Sequence, residues 1–211
     1  MFTLDQARSW YQNADAVHDF SHIERVYCMA ERLADAEGAD LEIVRAAALF
    51  HDADGTAPGS EARKEHHLRS AEFAGNVLRE EGWTEEKILA VQHCIRAHRY
   101  RDDREPPLTT EAKCLFDADK LDVLGAIGAV RAVVYAALSG TPFYSKPSTF
   151  FIETGEEEPG ELHSAYHEHL YKLKKIEGKL FTATARVLAR ERSQYLDDFF
   201  VQLIAEINGE R

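Results

Sequence analysis

Long apolar runs are missing from this chain of 211 residues. No stretch approaches the ~20 apolar residues of a bilayer-spanning helix, so no membrane-embedded segment is expected. Cysteine is scarce. Cys28, Cys94 and Cys114 are the only three, and they lack metal-type spacing. Such an odd, sparse set points to free thiols in a reducing compartment. Basic residues are outnumbered, with 25 Lys and Arg against 37 Asp and Glu, for a formal net charge of −12. A field of that sign repels anionic membrane surfaces and polymeric nucleic acid, and no dense Lys/Arg stripe offsets it. Met1 to Trp10 lack a basic segment followed by an apolar stretch, so no secretory signal is expected and the expected location is cytoplasmic. A small phosphorylated ligand stays compatible with the composition, because a few local cations can outweigh the global field.

What is present is helical periodicity. Hydrophobic residues make up 45% of the chain, and no alternating strand-like run stands out. The pattern predicts an all-α fold in one domain, 1–211. Ser21-x-x-Glu24 reads as a capping box that starts a helix ending near Gly38. A second helix is expected from Leu41 to Asp52, before the loop signal Asp54-Gly55-Thr56-Ala57-Pro58-Gly59. Others are expected over about Glu65–Glu81, Thr84–His98, Thr109–Asp122 and Leu124–Leu138. An irregular insert, about 139–160, is expected to be either a lid or a passive excursion. Two C-terminal helices, Leu162–Arg192 and Tyr195–Ile207, complete the expectation over about 162–208.

His51-Asp52 closes the apolar run Leu41 to Phe50. A helix this apolar all round should be buried. An imidazole and a carboxylate at its buried end need partners, and a cation serves both, because buried charges are normally paired or coordinate metals. His22 upstream and Asp119 downstream are further candidate ligands. Two imidazoles and two carboxylates suit Mn²⁺, Fe²⁺, Ni²⁺, Co²⁺, Mg²⁺ or Zn²⁺, and ligand type alone does not choose among them.

His18-Asp19-Phe20-Ser21-His22-Ile23-Glu24-Arg25-Val26, then Leu49-Phe50-His51-Asp52, then Asp117-Ala118-Asp119-Lys120-Leu121-Asp122 with Gly125 to Arg131, resemble in order three elements of the HD-domain metal-dependent phosphohydrolases. The closest resemblance is to a subgroup of small single-domain bacterial and archaeal hydrolases. It covers a catalytic core of about 17–131. It implies an HD-domain helical bundle with His22, His51, Asp52 and Asp119 as metal ligands, and one divalent ion as cofactor. It implies hydrolysis of a phosphoanhydride or phosphomonoester, on a substrate expected to be a nucleotide. Asp52 and Asp119 are the candidates for proton transfer.

Phosphate charge needs cations beside the metal. Arg25 lies one turn after His22 on the same helix face and is the first candidate. Lys64, His67, Arg69, His98 and Lys120 are the others, although Lys120 has Asp117 and Asp122 as alternative partners. His18 is a possible pocket residue. Some HD-domain enzymes hold two metals through added histidines, and some of those are iron oxygenases; here His67 and His98 are the plausible extra ligands. A di-iron oxygenase and a non-catalytic nucleotide-binding regulatory module are therefore the competing functions. The expected partner is a small phosphorylated molecule, with no polymeric nucleic acid and no membrane, and the chain is expected as a monomer or homodimer.

Overall fold

A computed structural model describes residues 2–11, 19–54, 65–99 and 104–211. Among them every regular element is a helix. The helices are α1 (Leu4–Ala7), α2 (Phe20–Glu37), α3 (Leu41–Phe50), α4 (His66–Glu80), α5 (Glu85–Ala97), α6 (Thr110–Leu121), α7 (Gly125–Leu138), α8 (Thr149–Thr154), α9 (Ala165–Tyr171) and α10 (Ala183–Ile207). The chain divides into two compact units, Met1–Lys120 with Leu180–Ala185, and Leu121–Lys179 with Arg186–Arg211.

The first unit is built around α3. Asp40 caps it by accepting from the amides of Glu42 and Ile43. Val44, Ala46, Ala47, Ala48, Leu49 and Phe50 are all buried, as an all-round apolar helix requires. Helix α2 packs on it and ends at Gly38, whose φ of +72° suits a residue without a Cβ. Helices α4 and α5 pair with each other, and Gln92 Nε2 donates to Ala71 O across the contact. The N-terminal segment covers the end of α3 with aromatic rings. Trp10 stacks on Phe50 at 4.4 Å, and Phe2 meets the same ring edge-on.

The capping box expected at Ser21 does not form. Helix α2 starts two residues earlier, at Phe20, with Asp19 at the N-cap position. Ser21 Oγ instead donates to Asp19 Oδ1.

In the second unit, the insert is not irregular throughout. Ser148 caps α8 inside it. Glu161 then fastens the segment by accepting from Ser148 N, Ser148 Oγ and Glu158 N. The expected long helix from Leu162 to Arg192 is corrected. It resolves into α9, two 3₁₀ turns at Leu173–Lys175 and Glu177–Lys179, and the start of the 25-residue α10, which runs unbroken to Ile207, so the separate helix expected over Tyr195–Ile207 is corrected too.

The break has a long-range cause in the first unit. The buried Asp117 carboxylate accepts from Phe181 N, Thr182 N and Thr182 Oγ, and Thr182 Oγ in turn accepts from Ala185 N. Phe181 and Thr182 are thereby drawn out of helical pairing and α10 begins at its own cap. Asp117→Asn should lower stability by roughly 1–3 kcal/mol, because an amide turns a donor toward three donors. A thermal melt followed by circular dichroism checks this, and an unchanged midpoint would remove Asp117 as the organiser of the turn.

Candidate metal centre

Three helix ends in the first unit converge on His51-Asp52. His22 stands in the first turn of α2, His51 and Asp52 follow the last residue of α3, and Asp119 lies near the end of α6. The possible ligand atoms of His22, His51 and Asp119 lie within 4.8 Å of one another. His22 Nε2 is 3.4 Å from Asp119 Oδ1 and 4.0 Å from Asp52 Oδ2. His51 Nε2 is 3.9 Å from the same Asp52 oxygen. All four ligands named from sequence are thus brought together.

The tautomer of His51 is set locally. Its Nδ1–H donates to Ala48 O at 2.8 Å, which leaves the Nε2 lone pair facing the cluster. That Nε2 is buried and has no hydrogen-bond partner, and Asp52 Oδ1 shares this condition. Buried polar atoms without partners are rare and call for an explanation. Burial pushes the His51 imidazole down to about 4, so it is a neutral donor at pH 7. For Asp52, burial would raise the pKa, but His51, His98 and His66 outweigh it and hold the carboxyl well below its ordinary range. Asp119 is also lowered against the effect of burial, chiefly by Lys120 and His22. The neutral His51 imidazole with the two ionised carboxylates supplies donors of the kind that a divalent cation requires.

A second cluster shares Asp52. Its Oδ1 is 3.3 Å from His66 Nε2 and 3.6 Å from His98 Nε2, and the two imidazole nitrogens are 3.4 Å apart. His98 is oriented as His51 is, through Nδ1–H donation to Ile95 O at 2.5 Å. Sequence reasoning named His67 with His98 for this role. The structure brings His66 instead. His67 lies on the buried stripe of α4 with Ser70, Ala71, Ala74, Gly75 and Leu78, so the helix phase turns it into the core.

The remaining candidates are dispersed. Arg25 is half-buried on α2, and its Nη1 donates to Ser21 Oγ at 2.8 Å. Lys120 pairs with Asp119 and sits over the Phe116 ring. The alternative partners expected for Lys120 are engaged otherwise, Asp117 as the α10 organiser and Asp122 by Arg131. Arg69 is exposed and pairs with Asp54 at the side of a cavity of about 400 Å³ that Phe73 and Asn76 also line. Lys64 and His18 lie outside the described residues.

Sequence reasoning missed Tyr11. Its hydroxyl donates to Leu49 O at 2.7 Å, a bridge that ties the N-terminal segment to the end of the helix that carries His51. Burial, then the Asp52 charge, raises its pKa well above the ordinary value. No short-range pattern signals it, since 38 residues separate the partners. Tyr11→Phe keeps the ring against Phe20 and removes only the bridge. Metal affinity should fall by about tenfold, the lower end for a group that orients ligands. Titration calorimetry with Mn²⁺ measures it, and unchanged affinity would reduce Tyr11 to a packing residue.

The comparisons agree with this geometry. The HD domain family model matches residues 19–124. The Bacillus subtilis protein YpgQ is 32% identical over 212 residues, covering 97% of this chain and 94% of its own. The crystal structure of B. subtilis YpgQ in complex with ADP superposes with a TM-score of 0.74 at 31% identity, covering 98% of this chain and 99% of that one. An HD-superfamily hydrolase from Bacillus thuringiensis gives a TM-score of 0.72 at 26% identity, covering 97% and 94%. A helical fold with histidines and aspartates gathered at three helix ends, matched by sequence and by structure, places the chain in the HD-domain family, among the HD-superfamily hydrolases.

Proposed function

We propose that the chain is a metal-dependent phosphohydrolase acting on a nucleotide. The observation that carries the reading is His51 Nε2, a buried atom without a hydrogen-bond partner that faces His22, Asp119 and Asp52 Oδ2. His22, His51, Asp52 and Asp119 would hold the cation. A divalent ion bound there supplies a Lewis acid and lowers the pKa of a water near it.

The rest follows from the chain's own groups. Asp52 and Asp119 contribute two negative charges and Lys120 one positive, while His51 stays neutral. With a divalent ion the balance turns positive, which suits a phosphate on an otherwise acidic protein. Lys120 is held by Asp119 and keeps that carboxylate ionised. The charged, ionised carboxylates are the groups able to accept a proton from an attacking water. Arg25, one turn beyond His22, is the side chain we assign to a substrate phosphate. The nucleotide class is supported by the ADP complex of YpgQ, which is related over nearly the whole chain.

A second reading is favoured by the Asp52, His66 and His98 cluster, which has the donors for a second cation bridged through Asp52. An oxidative role would need a redox-active pair there. Metal analysis per chain separates one ion from two, and His66→Ala should abolish only the second.

Nucleoside mono-, di- and triphosphates incubated with the Mn²⁺-loaded chain, with products resolved by chromatography, test the main reading. Asp52→Asn should lower turnover by more than about 100-fold, beyond the range for an orienting group. Arg25→Ala should keep the metal and lose about 1.5–3 kcal/mol of transition-state stabilisation, roughly ten- to a hundred-fold in rate constant. Loss of metal in that variant would instead make Arg25 a structural partner of the cluster. Failure of the metal-loaded chain to hydrolyse any of the nucleotides would overturn the hydrolase reading.

A further inference from the structure

We infer that the second unit holds a binding site of its own, a cavity between α9 and α10 that takes a small uncharged ring compound bearing one hydroxyl or ring N–H. The site shares no residue with the metal centre, since every residue that lines it belongs to the second unit. The cavity measures about 210 Å³. An apolar cavity of about 150 Å³ is enough for benzene, so this one has room for a single ring with a substituent.

Two side chains in its wall point to a ligand. His169 is 3% exposed, and its Nδ1 is buried with no hydrogen-bond partner among the described residues. The other ring nitrogen, Nε2, stands 2.8 Å from Asp197 Oδ1. A carboxylate accepts only from a protonated nitrogen, so Nε2 carries the hydrogen and Nδ1 keeps its lone pair. Burial lowers the pKa of His169 and outweighs the opposing Asp197 charge, so the ring stays neutral at pH 7. Stacking on Phe200 at 4.6 Å holds the ring in place. Ser193 Oγ is likewise buried without a hydrogen-bond partner among the described residues. A serine in mid-helix can bond back to the carbonyl four residues earlier, and Ser193 does not. Buried polar atoms of this kind call for an explanation, and both residues line the one cavity.

Chemistry selects the occupant. Nδ1 of His169 can only accept, so the ligand must bring an O–H or N–H. The Ser193 hydroxyl can donate or accept, so a ligand hydroxyl can answer both atoms. Leu124, Leu173 and Leu196 supply an apolar wall for the rest of the ring. Lys174, whose side chain is 46% exposed, stands where the cavity reaches the surface. The charges there are already paired, Lys174 with Asp197 at 3.3 Å and Glu177 with Arg190 at 3.5 Å. A charged ligand would compete with these pairs, whereas an uncharged one leaves both intact.

Phenol is the test ligand, and toluene matches it in size without the hydroxyl. Amide chemical-shift mapping of the isotope-labelled full chain should show saturable shifts with phenol around Leu173, Lys174 and Ser193. The dissociation constant should be on the order of millimolar, as suits a ligand of about seven heavy atoms. Toluene should bind at least about threefold more weakly, because it leaves both polar atoms unanswered. Ser193→Ala should weaken phenol by about two- to tenfold, the worth of one hydrogen bond, and leave toluene unchanged. His169→Phe keeps a ring against Phe200 and should bring phenol down to the affinity of toluene. Circular dichroism on each variant keeps a folding defect from being read as lost binding, and the comparison of phenol with toluene on the native chain needs no variant. Equal binding of the two compounds, shifts centred elsewhere, or a cavity that takes neither overturns the inference. So does an affinity for phenol that both variants leave unchanged.

Discussion

An ionised carboxylate held among imidazoles at the end of a buried apolar helix is the constraint on which the first unit depends. Asp52 follows α3, whose last five residues are buried without exception. Little water reaches that charge, and imidazoles from separate places in sequence stand in for it: His51 beside it, His22 on α2 near Oδ2, and His66 on α4 and His98 after α5 near Oδ1. Asp119, with its partner Lys120 on α6, lies across from His22. Packing those helices around α3 both builds the core and delivers the ligands. The fold of this unit and its candidate metal centre therefore have one physical origin.

That origin explains what could be read from the sequence. His51-Asp52 was legible because the apolar run before it announces burial, and a buried acid with a neighbouring imidazole announces a cation. His22 and Asp119 were legible through the HD-domain resemblance, and each stands at a helix end as expected. The helices α2 to α7 began and ended within a residue or two of their predicted bounds because Gly38, Asp40, Gly82 and Thr84 are local signals. Where the decisive interaction is distant, reading failed. Leu162 to Arg192 carries a helical pattern, and what divides it is a carboxylate at Asp117, 64 residues before Phe181. Tyr11 is invisible for the same reason.

The choice between His66 and His67 shows a subtler limit. The two are adjacent, and both are plausible ligands by type. Which one reaches Asp52 depends on the rotational phase of α4, and that phase is set by the stripe running to Leu78. The stripe includes His67 and thereby excludes it from the cluster. A wheel drawn through Ser70, Ala71, Ala74 and Leu78 contains this information, so the signal was present in the sequence.

The acids of α6 and its C-terminal edge make the opposite point about chemistry. Asp117, Asp119 and Asp122 lie within six residues and are all largely shielded, yet each is satisfied differently. Asp117 takes backbone amides and a hydroxyl, and so becomes an organiser of chain direction. Asp122 takes a guanidinium from α7 and becomes a neutral pair. Asp119 takes an ammonium on one side and faces His22 on the other, which leaves it ionised with a lone pair directed at the cluster. Only that arrangement keeps a charge available to a cation. Sequence supplies three similar carboxylates; the partner each finds decides which of them keeps a charge free for a cation.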